Sequence, residues 1–320
     1  MNRHRAAKFS MIVIAIAVGF SVVASPRGAA PSHHPLASGA TYIQPAAHSI
    51  LPNRQQSASP DEEKPSLAPP PVLFIQREVV AKGKMGDQNE IAAKILTQYQ
   101  NHHLPFHVLG MTSMVPTRDE VMVIVAYPSF AAIDDIGKQF SAQPPDFLKA
   151  IGELRQQEDA LAESKTAMLA SFRPDLSYRA DSKAIAQARL FWVDQLIVPQ
   201  GHMPDYEADS KFMQAAATKA NVDEHYFVYQ TVAGAESQTL IVFRPLKSLA
   251  DWDKSADTAA AMERALDAAG RQRFARIWKG TVLQGPGQSL ERLYVFRPDL
   301  SITSPEFAAF NMDFWRPKTE

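Results

Sequence analysis

Six consecutive residues occur twice in this chain, as Phe172-Arg173-Pro174-Asp175-Leu176-Ser177 and as Phe296-Arg297-Pro298-Asp299-Leu300-Ser301. An identical hexapeptide should arise by chance at only ~10⁻³ or less in a chain of this size, so an internal repeat is the better explanation. The rest of each half then lines up. Gly83-Lys84-Met85-Gly86-Asp87 matches Gly201-His202-Met203-Pro204-Asp205, each after an apolar stretch ending in Val79-Val80 or Ile197-Val198. Phe130-Ala131 and Asp134 match Leu249-Ala250 and Asp253. A chain written this way has to fold as one module used twice.

Each half has the same grammar. A first strand over about 72–80 and 189–198 leads to a turn at Gly83 or Gly201. A helix follows, for which Asp87 reads as the N-cap with Glu90 three residues on. Ile91, Ala92, Ile95, Leu96 and Tyr99 form its apolar face, and the counterpart starts at Asp205. Two strands come next, about 106–115 and 120–127, matched by 225–233 and 238–244. Val121–Ala126 and Leu240–Phe243 are almost continuously apolar, as for strands covered on both faces. Helices over 129–138 and 146–164, matched by 248–255 and 258–278, lead to a last strand ending at Phe172 or Phe296. The following Arg-Pro-Asp-Leu-Ser is read as its stop, since proline cannot donate to a ladder.

That order is βαββαβ, the ferredoxin-like split unit, written twice. On these residues, and on the Gly-x-Met-x-Asp turn, the chain over about 72–302 resembles the dimeric α/β-barrel superfamily, which includes the NIPSNAP proteins and the antibiotic-biosynthesis monooxygenase-like proteins. The resemblance implies an α+β fold: two tandem ferredoxin-like modules, 72–178 and 189–302, packed sheet to sheet as a pseudo-dimeric α/β barrel within one chain. It also implies that the protein is monomeric. The superfold hosts many chemistries and does not fix one.

The N-terminus reads as an export signal. Arg3, Arg5 and Lys8 precede the apolar run Met11–Ala24, with Val22 and Ala24 small enough for cleavage before Ser25. The expected destination is the periplasm or the exterior, with no stable membrane span once 1–24 is removed; an uncleaved anchor is the alternative. Residues 25–71, rich in Pro, Ser, Ala and Gln, read as a disordered tether whose His33, His34 and His48 are spacer residues, with weak metal binding as the alternative. A formal net charge of -1 over 320 residues gives no reason to expect nucleic acid as a partner. With no cysteine, disulfides, thiolate metal sites, iron–sulfur clusters and cysteine nucleophiles are excluded.

No phosphate-binding loop, Gly-x-Ser-x-Gly or His-Glu-x-x-His stands in the chain. His107 and His225 fall at matching places at the start of each second strand, as a proton shuttle, a ligand contact or locally bonded strand ends. Gln76, Arg77 and Glu78 interrupt the first apolar strand, and Asp194 and Gln195 do so at the matching place. Polar groups there imply a polar cavity or an ion pair inside the module. Trp192, Tyr226, Tyr229, Trp252 and Trp278 suit a core or an aromatic pocket, and Phe307, Phe310, Phe314 and Trp315 in the tail 303–320 suit docking on the domain or a partner-binding peptide. The expectation is an exported protein that binds a small apolar or aromatic ligand or an interaction partner, through His107, His225, Arg77, Asp194, Gln195, Trp192 and Tyr226, with no cofactor or metal and no evident catalysis. The alternative is a cofactor-independent monooxygenase-like or haem-handling enzyme.

Overall fold

The computed structural model describes residues 67–115, 118–236, 238–278 and 289–316. The residues read above as an export signal, those read as a tether through residue 66 with its three histidines, and the last four residues lie outside them. The elements run β1 (Val72–Val80), α1 (Met85–Asn101), β2 (His107–Ser113), β3 (Glu120–Tyr127), α2 (Phe130–Ser141), α3 (Pro145–Leu161), β4 (Ala162–Phe172) and α4 (Ser182–Gln187). They continue as β5 (Leu190–Ile197), α5 (Met203–Lys219), β6 (Phe227–Ala233), β7 (Thr239–Leu246), α6 (Ala250–Asp253), α7 (Ser255–Arg264), α8 (Ala268–Trp278) and β8 (Ser289–Ile302). The tail adds α9 (Pro305–Ala308), one 3₁₀ turn and α10 (Met312–Trp315). Among the described residues no helix is long and apolar enough to cross a membrane.

The strands close into one antiparallel barrel in the order β1-β3-β2-β8-β5-β7-β6-β4. Each half contributes a quartet, β4-β1-β3-β2 and β8-β5-β7-β6, and the order within the two is the same. They meet at two seams, β2 on β8 and β4 on β6. At one seam Met111 faces Phe296, and at the other Tyr229 faces Phe172. Since all pairings are antiparallel, β1, β2, β5 and β6 begin at the same end of the barrel, called its mouth below.

Alternation along the strands decides what fills the barrel. Each strand sends two alternate residues into one apolar cluster: Leu73 and Ile75 from β1, Leu109 and Met111 from β2, and so round to Tyr294 and Phe296 from β8. An eight-stranded barrel is just wide enough to be filled in this way. The opposite face of the first quartet carries Phe74, Val108, Val125 and Tyr127, which pack with Ile95 and Tyr99 of α1, Ile136 and Phe140 of α2, and Phe147 and Ile151 of α3.

The two hexapeptides adopt the same hydrogen-bonded form. Arg173 donates to both carboxylate oxygens of Asp175 at 2.9 and 2.7 Å, and Arg297 to those of Asp299 at 2.9 and 2.6 Å. Ser177 Oγ donates to the Arg173 carbonyl at 2.8 Å and accepts from Val228 N–H at 2.9 Å. Ser301 does the same with the Arg297 carbonyl, 2.7 Å, and Gly110 N–H, 3.0 Å. The sequence stop after Phe172 is found, but β8 continues to Ile302. Its ladder with β2 breaks between Arg297 and Ile302, so the second hexapeptide bulges out and the strand returns to pair with Val108.

Two further expectations shift. Helices α1 and α5 start two residues before Asp87 and Asp205, neither of which is an N-cap. Both instead sit in the first turn, where a carboxylate favours the helix dipole, and bond Lys84 Nζ at 3.0 Å and His202 Nδ1 at 2.9 Å. Residues 67–71, assigned above to the tether, form a strap at the mouth. Ser182 N–H donates to the Leu67 carbonyl at 2.9 Å, Tyr229 hydroxyl to Pro70 at 3.0 Å and Phe172 N–H to Pro71 at 2.9 Å. The tail aromatics dock there too: Phe307 and Trp315 join the barrel cluster, and Trp315 Nε1 donates to the Ala186 carbonyl at 2.7 Å.

Gly110 is a close backbone approach at the β2–β8 seam, since a Cβ there would lie 2.2 Å from the Leu300 carbonyl oxygen. Gly110→Ala is expected to lower the unfolding free energy by roughly 1–3 kcal/mol through overpacking. Gly152→Ala, in α3 with nothing within 4 Å of the new Cβ, should be neutral or stabilising by up to about 1 kcal/mol. Urea unfolding of both variants tests the contrast.

Candidate functional site

The two halves differ most on the outer face of their quartets. The first half buries one continuous cluster under its helices. In the second half the apolar residues divide into two small clusters, one around Ala216, Ala217, Met262 and Phe274, the other around Leu176, Val198, Val228 and Val242. Between them lies a cavity of about 290 Å³ enclosed by β5, β6, β7, α5, α7 and α8.

Register explains the space. Gly83 and Gly201, like His107 and His225, stand 118 residues apart (201 − 83; 225 − 107), and this offset carries through both helices. Tyr99, which fills the first half, falls opposite Ala217 in the second. The facing pair Phe74–Val125 becomes Trp192–Arg244, and Gln76–Val123 becomes Asp194–Val242. The corresponding void in the first half, bounded by Gln76, Tyr99, Phe106, Arg155 and Leu300 among others, shrinks to about 70 Å³.

The cavity wall carries a charge where the first half has Val125, at Arg244, and another where it has Gln76, at Asp194. Trp192 and Asp194, two apart on β5, face the same way. Arg244 of β7 forms an ion pair with Asp194 Oδ2, and its guanidinium carbon sits 4.7 Å from the Trp192 ring centroid and 6.0 Å from that of Tyr226. Trp192 also stacks on Trp252 at 4.5 Å. Among the described residues, Trp192 Nε1 and Asp194 Oδ1 are buried without a hydrogen-bond partner. Such orphaned groups cost free energy unless something else pairs with them. Burial pushes the Glu224 carboxyl up, Arg244 pulling only partly the other way, and burial likewise raises the Tyr206 and Tyr226 hydroxyls.

Of the residues singled out in the sequence, Trp192, Asp194 and Tyr226 meet in this cavity; Arg244, Glu224, Tyr206 and Ala217 join them unforeseen. Only the register of β5 against β7 brings Arg244 over Trp192, and that pairing is not written in either strand alone. Arg77 and Gln195 point into the barrel instead, at the end away from the mouth. Arg77 Nε and Nη2 both donate to Glu120 at 3.0 Å and Nη1 to Gln195 at 3.4 Å. Arg292 Nε adds a bond to Glu120 at 3.1 Å, and the Tyr294 hydroxyl donates to the same carboxylate. Burial raises the Glu120 carboxyl, but Arg77 and Tyr294 outweigh it and hold the group below its usual range. Of the two alternatives for this strand, the ion pair describes both Arg77, with Glu120, and Asp194, with Arg244; Asp194 lines the cavity as well.

The histidines do not act as a pair. His225 lies outside the cavity, its Nδ1 bonded to the Arg179 carbonyl at 2.6 Å and its Nε2 3.6 Å from Asp223, a local strand-end arrangement. His107 lines a separate cavity at the barrel mouth. The side chain of Trp278 lies outside the described residues.

A haem does not fit either space. Among the described residues the sheet–helix cavity is lined by no histidine to serve as an axial ligand. The mouth cavity has His107 but no Arg or Lys among its lining residues to meet two propionates.

No family model and no curated protein matches the chain. Among solved structures it is similar to a candidate monooxygenase from Lactobacillus acidophilus, at 7% identity over 71% of this chain and 94% of that one, with a TM-score of 0.44. An anthrone oxidase-like protein is similar at 14% identity, 72% and 93% coverage and a TM-score of 0.43. A mutant chlorite dismutase from Candidatus Nitrospira defluvii is similar at 9% identity, 77% and 97% coverage and a TM-score of 0.41. At such scores the chemistry of this chain rests on its own residues.

Glu78, the remaining charge of the interrupted first strand, is buried under α1 and α3. It accepts from Gln88 Nε2 at 2.6 Å and lies 2.8 Å from Lys165 Nζ. Burial and then Glu158 push its carboxyl up to about 7, Lys165 opposing them. Because the folded state then holds a proton that the unfolded state has released, stability should fall as pH rises from about 4.5 to about 7. Glu78→Gln should flatten that slope in urea melts; an unchanged slope would refute the assignment.

Proposed function

We propose that this is an exported, internally duplicated protein whose second half binds a hydroxylated aromatic molecule in the sheet–helix cavity. One observation carries the ligand reading: Trp192 Nε1 and Asp194 Oδ1, an unpaired donor and an unpaired acceptor, both belong to residues lining one cavity. A phenolic hydroxyl can accept from the indole and donate to the carboxylate, while Trp192, Tyr226 and Tyr206 supply aromatic surface. The volume, about 290 Å³, is at the lower edge of small-molecule sites. Duplication is supported by the repeated hexapeptide with its repeated hydrogen bonds and by the shared strand order. Export is supported by the basic and apolar residues before Ser25.

A second reading, turnover of the bound phenol, is favoured by Glu224. A carboxyl raised by burial at the cavity wall is a candidate general base for the phenolic proton.

The test is titration of the full chain with a panel of phenols and quinols, read by calorimetry and by oxygen uptake. Asp194→Asn should weaken the best ligand roughly 5- to 150-fold, the range for loss of about 1–3 kcal/mol when a buried partner is removed. Ala217→Tyr, which restores the residue used in the first half, should fill the space and abolish binding without lowering stability. Binding that survives both substitutions would sink the proposal, and oxygen uptake lost in Glu224→Gln would move the protein to the second reading.

A further inference from the structure

The barrel mouth holds a second cavity, larger than the first at about 420 Å³. Its walls are the inward residues Leu73, Leu109, Ile124, Phe191, Phe227 and Phe243, and its rim is made by the strap 67–71, by Ile185 of α4 and by Phe307 of the tail. Among the described residues no Asp, Glu, Lys or Arg lines it. Tyr229, the phenol at the rim, already donates to the Pro70 carbonyl. Ser182 and Ser304 also line the cavity, but the Ser182 hydroxyl donates to the Ala68 carbonyl at 3.5 Å and that of Ser304 accepts from Phe307 N–H at 3.2 Å, which leaves the imidazole of His107. It meets Phe307 edge-on at 5.2 Å, and no hydrogen bond to it is found among the described residues.

From this geometry we infer that the barrel mouth is a second binding site, for an uncharged and largely hydrocarbon molecule that carries one hydroxyl or carbonyl group. Three features set that class. An apolar space of this size gains by exchanging water for an apolar occupant. A charged ligand would be stripped of water with no ion to meet it. Burial lowers the affinity of His107 for a second proton, so its ring is neutral near pH 7 and offers one N–H donor and one bare nitrogen acceptor, enough for one small polar group. The site is independent of the sheet–helix cavity, sharing none of its lining residues.

The experiment reads His107 itself, so that binding elsewhere does not confuse it. The full chain labelled with ¹⁵N-histidine is titrated with 1-naphthol at pH 7.5, and the His107 ring signals, assigned by their loss in His107→Phe, are followed by NMR. A saturable shift of those signals is expected, together with its disappearance in Ala126→Trp, which builds an indole into the cavity wall. Ring signals that stay put to the solubility limit of 1-naphthol overturn the inference, as does a shift that persists in a folded Ala126→Trp variant. Should that variant not fold, the wild-type titration alone decides. The failure of phenol binding at Asp194 would leave this result untouched, and the reverse also holds.

Discussion

Everything in this fold depends on closing two open sheet edges. A four-stranded sheet leaves the backbone N–H and C=O groups of its outer strands unpaired, a liability whether exposed or buried. Here the outer strands of the first quartet, β2 and β4, take as partners the outer strands of the second, β8 and β6. Closure also puts the inward faces of both quartets around one shared apolar cluster, which includes residues of all eight strands. Neither half retains a complete inner core without the other. The tight contact of Gly110 with Leu300, and the hydroxyls of Ser177 and Ser301 that take up a backbone N–H across each seam, are local conditions of that closure.

With the inner face committed to closure, the outer faces are free to differ. In the first half Tyr99, Phe74 and Val125 leave little space, and the buried charges are neutralised among themselves around Glu78, Lys165 and Glu158. In the second, Ala217 withdraws the side chain that would fill the gap, and Trp192, Asp194 and Arg244 line what remains. Substitution of a large buried group by a small one costs stability through the cavity it leaves, and orphaned polar atoms add to that cost. Such local disagreement with good packing is found at functional or strained sites.

Much of this was legible in the sequence. The repeated Phe-Arg-Pro-Asp-Leu-Ser and the Gly-x-Met-x-Asp turn set the order of elements, and the first strand's Gln76-Arg77-Glu78 marked polar groups inside the sheet. Which polar residue faced which space was not legible. Arg77 and Gln195 lie one residue out of phase with Gln76 and Asp194, and a one-residue step on a strand reverses the face. The matched histidines part company for another reason. Equivalent backbone positions do not guarantee equivalent surroundings: the tail covers His107, while His225 meets the Arg179 carbonyl. Arg244 and Ala217 carried no signal of their own; their meaning appears only when each is set against Val125 and Tyr99.

The cluster of Arg77, Glu120, Arg292, Tyr294 and Gln195 has a consequence for traffic. It stoppers the barrel at the end away from the mouth, and Met111, Tyr294 and Phe296 fill the section above it. The barrel is therefore a cup and not a pipe. Anything that entered at the rim would have to leave by the rim, since the barrel offers no passage from one side to the other.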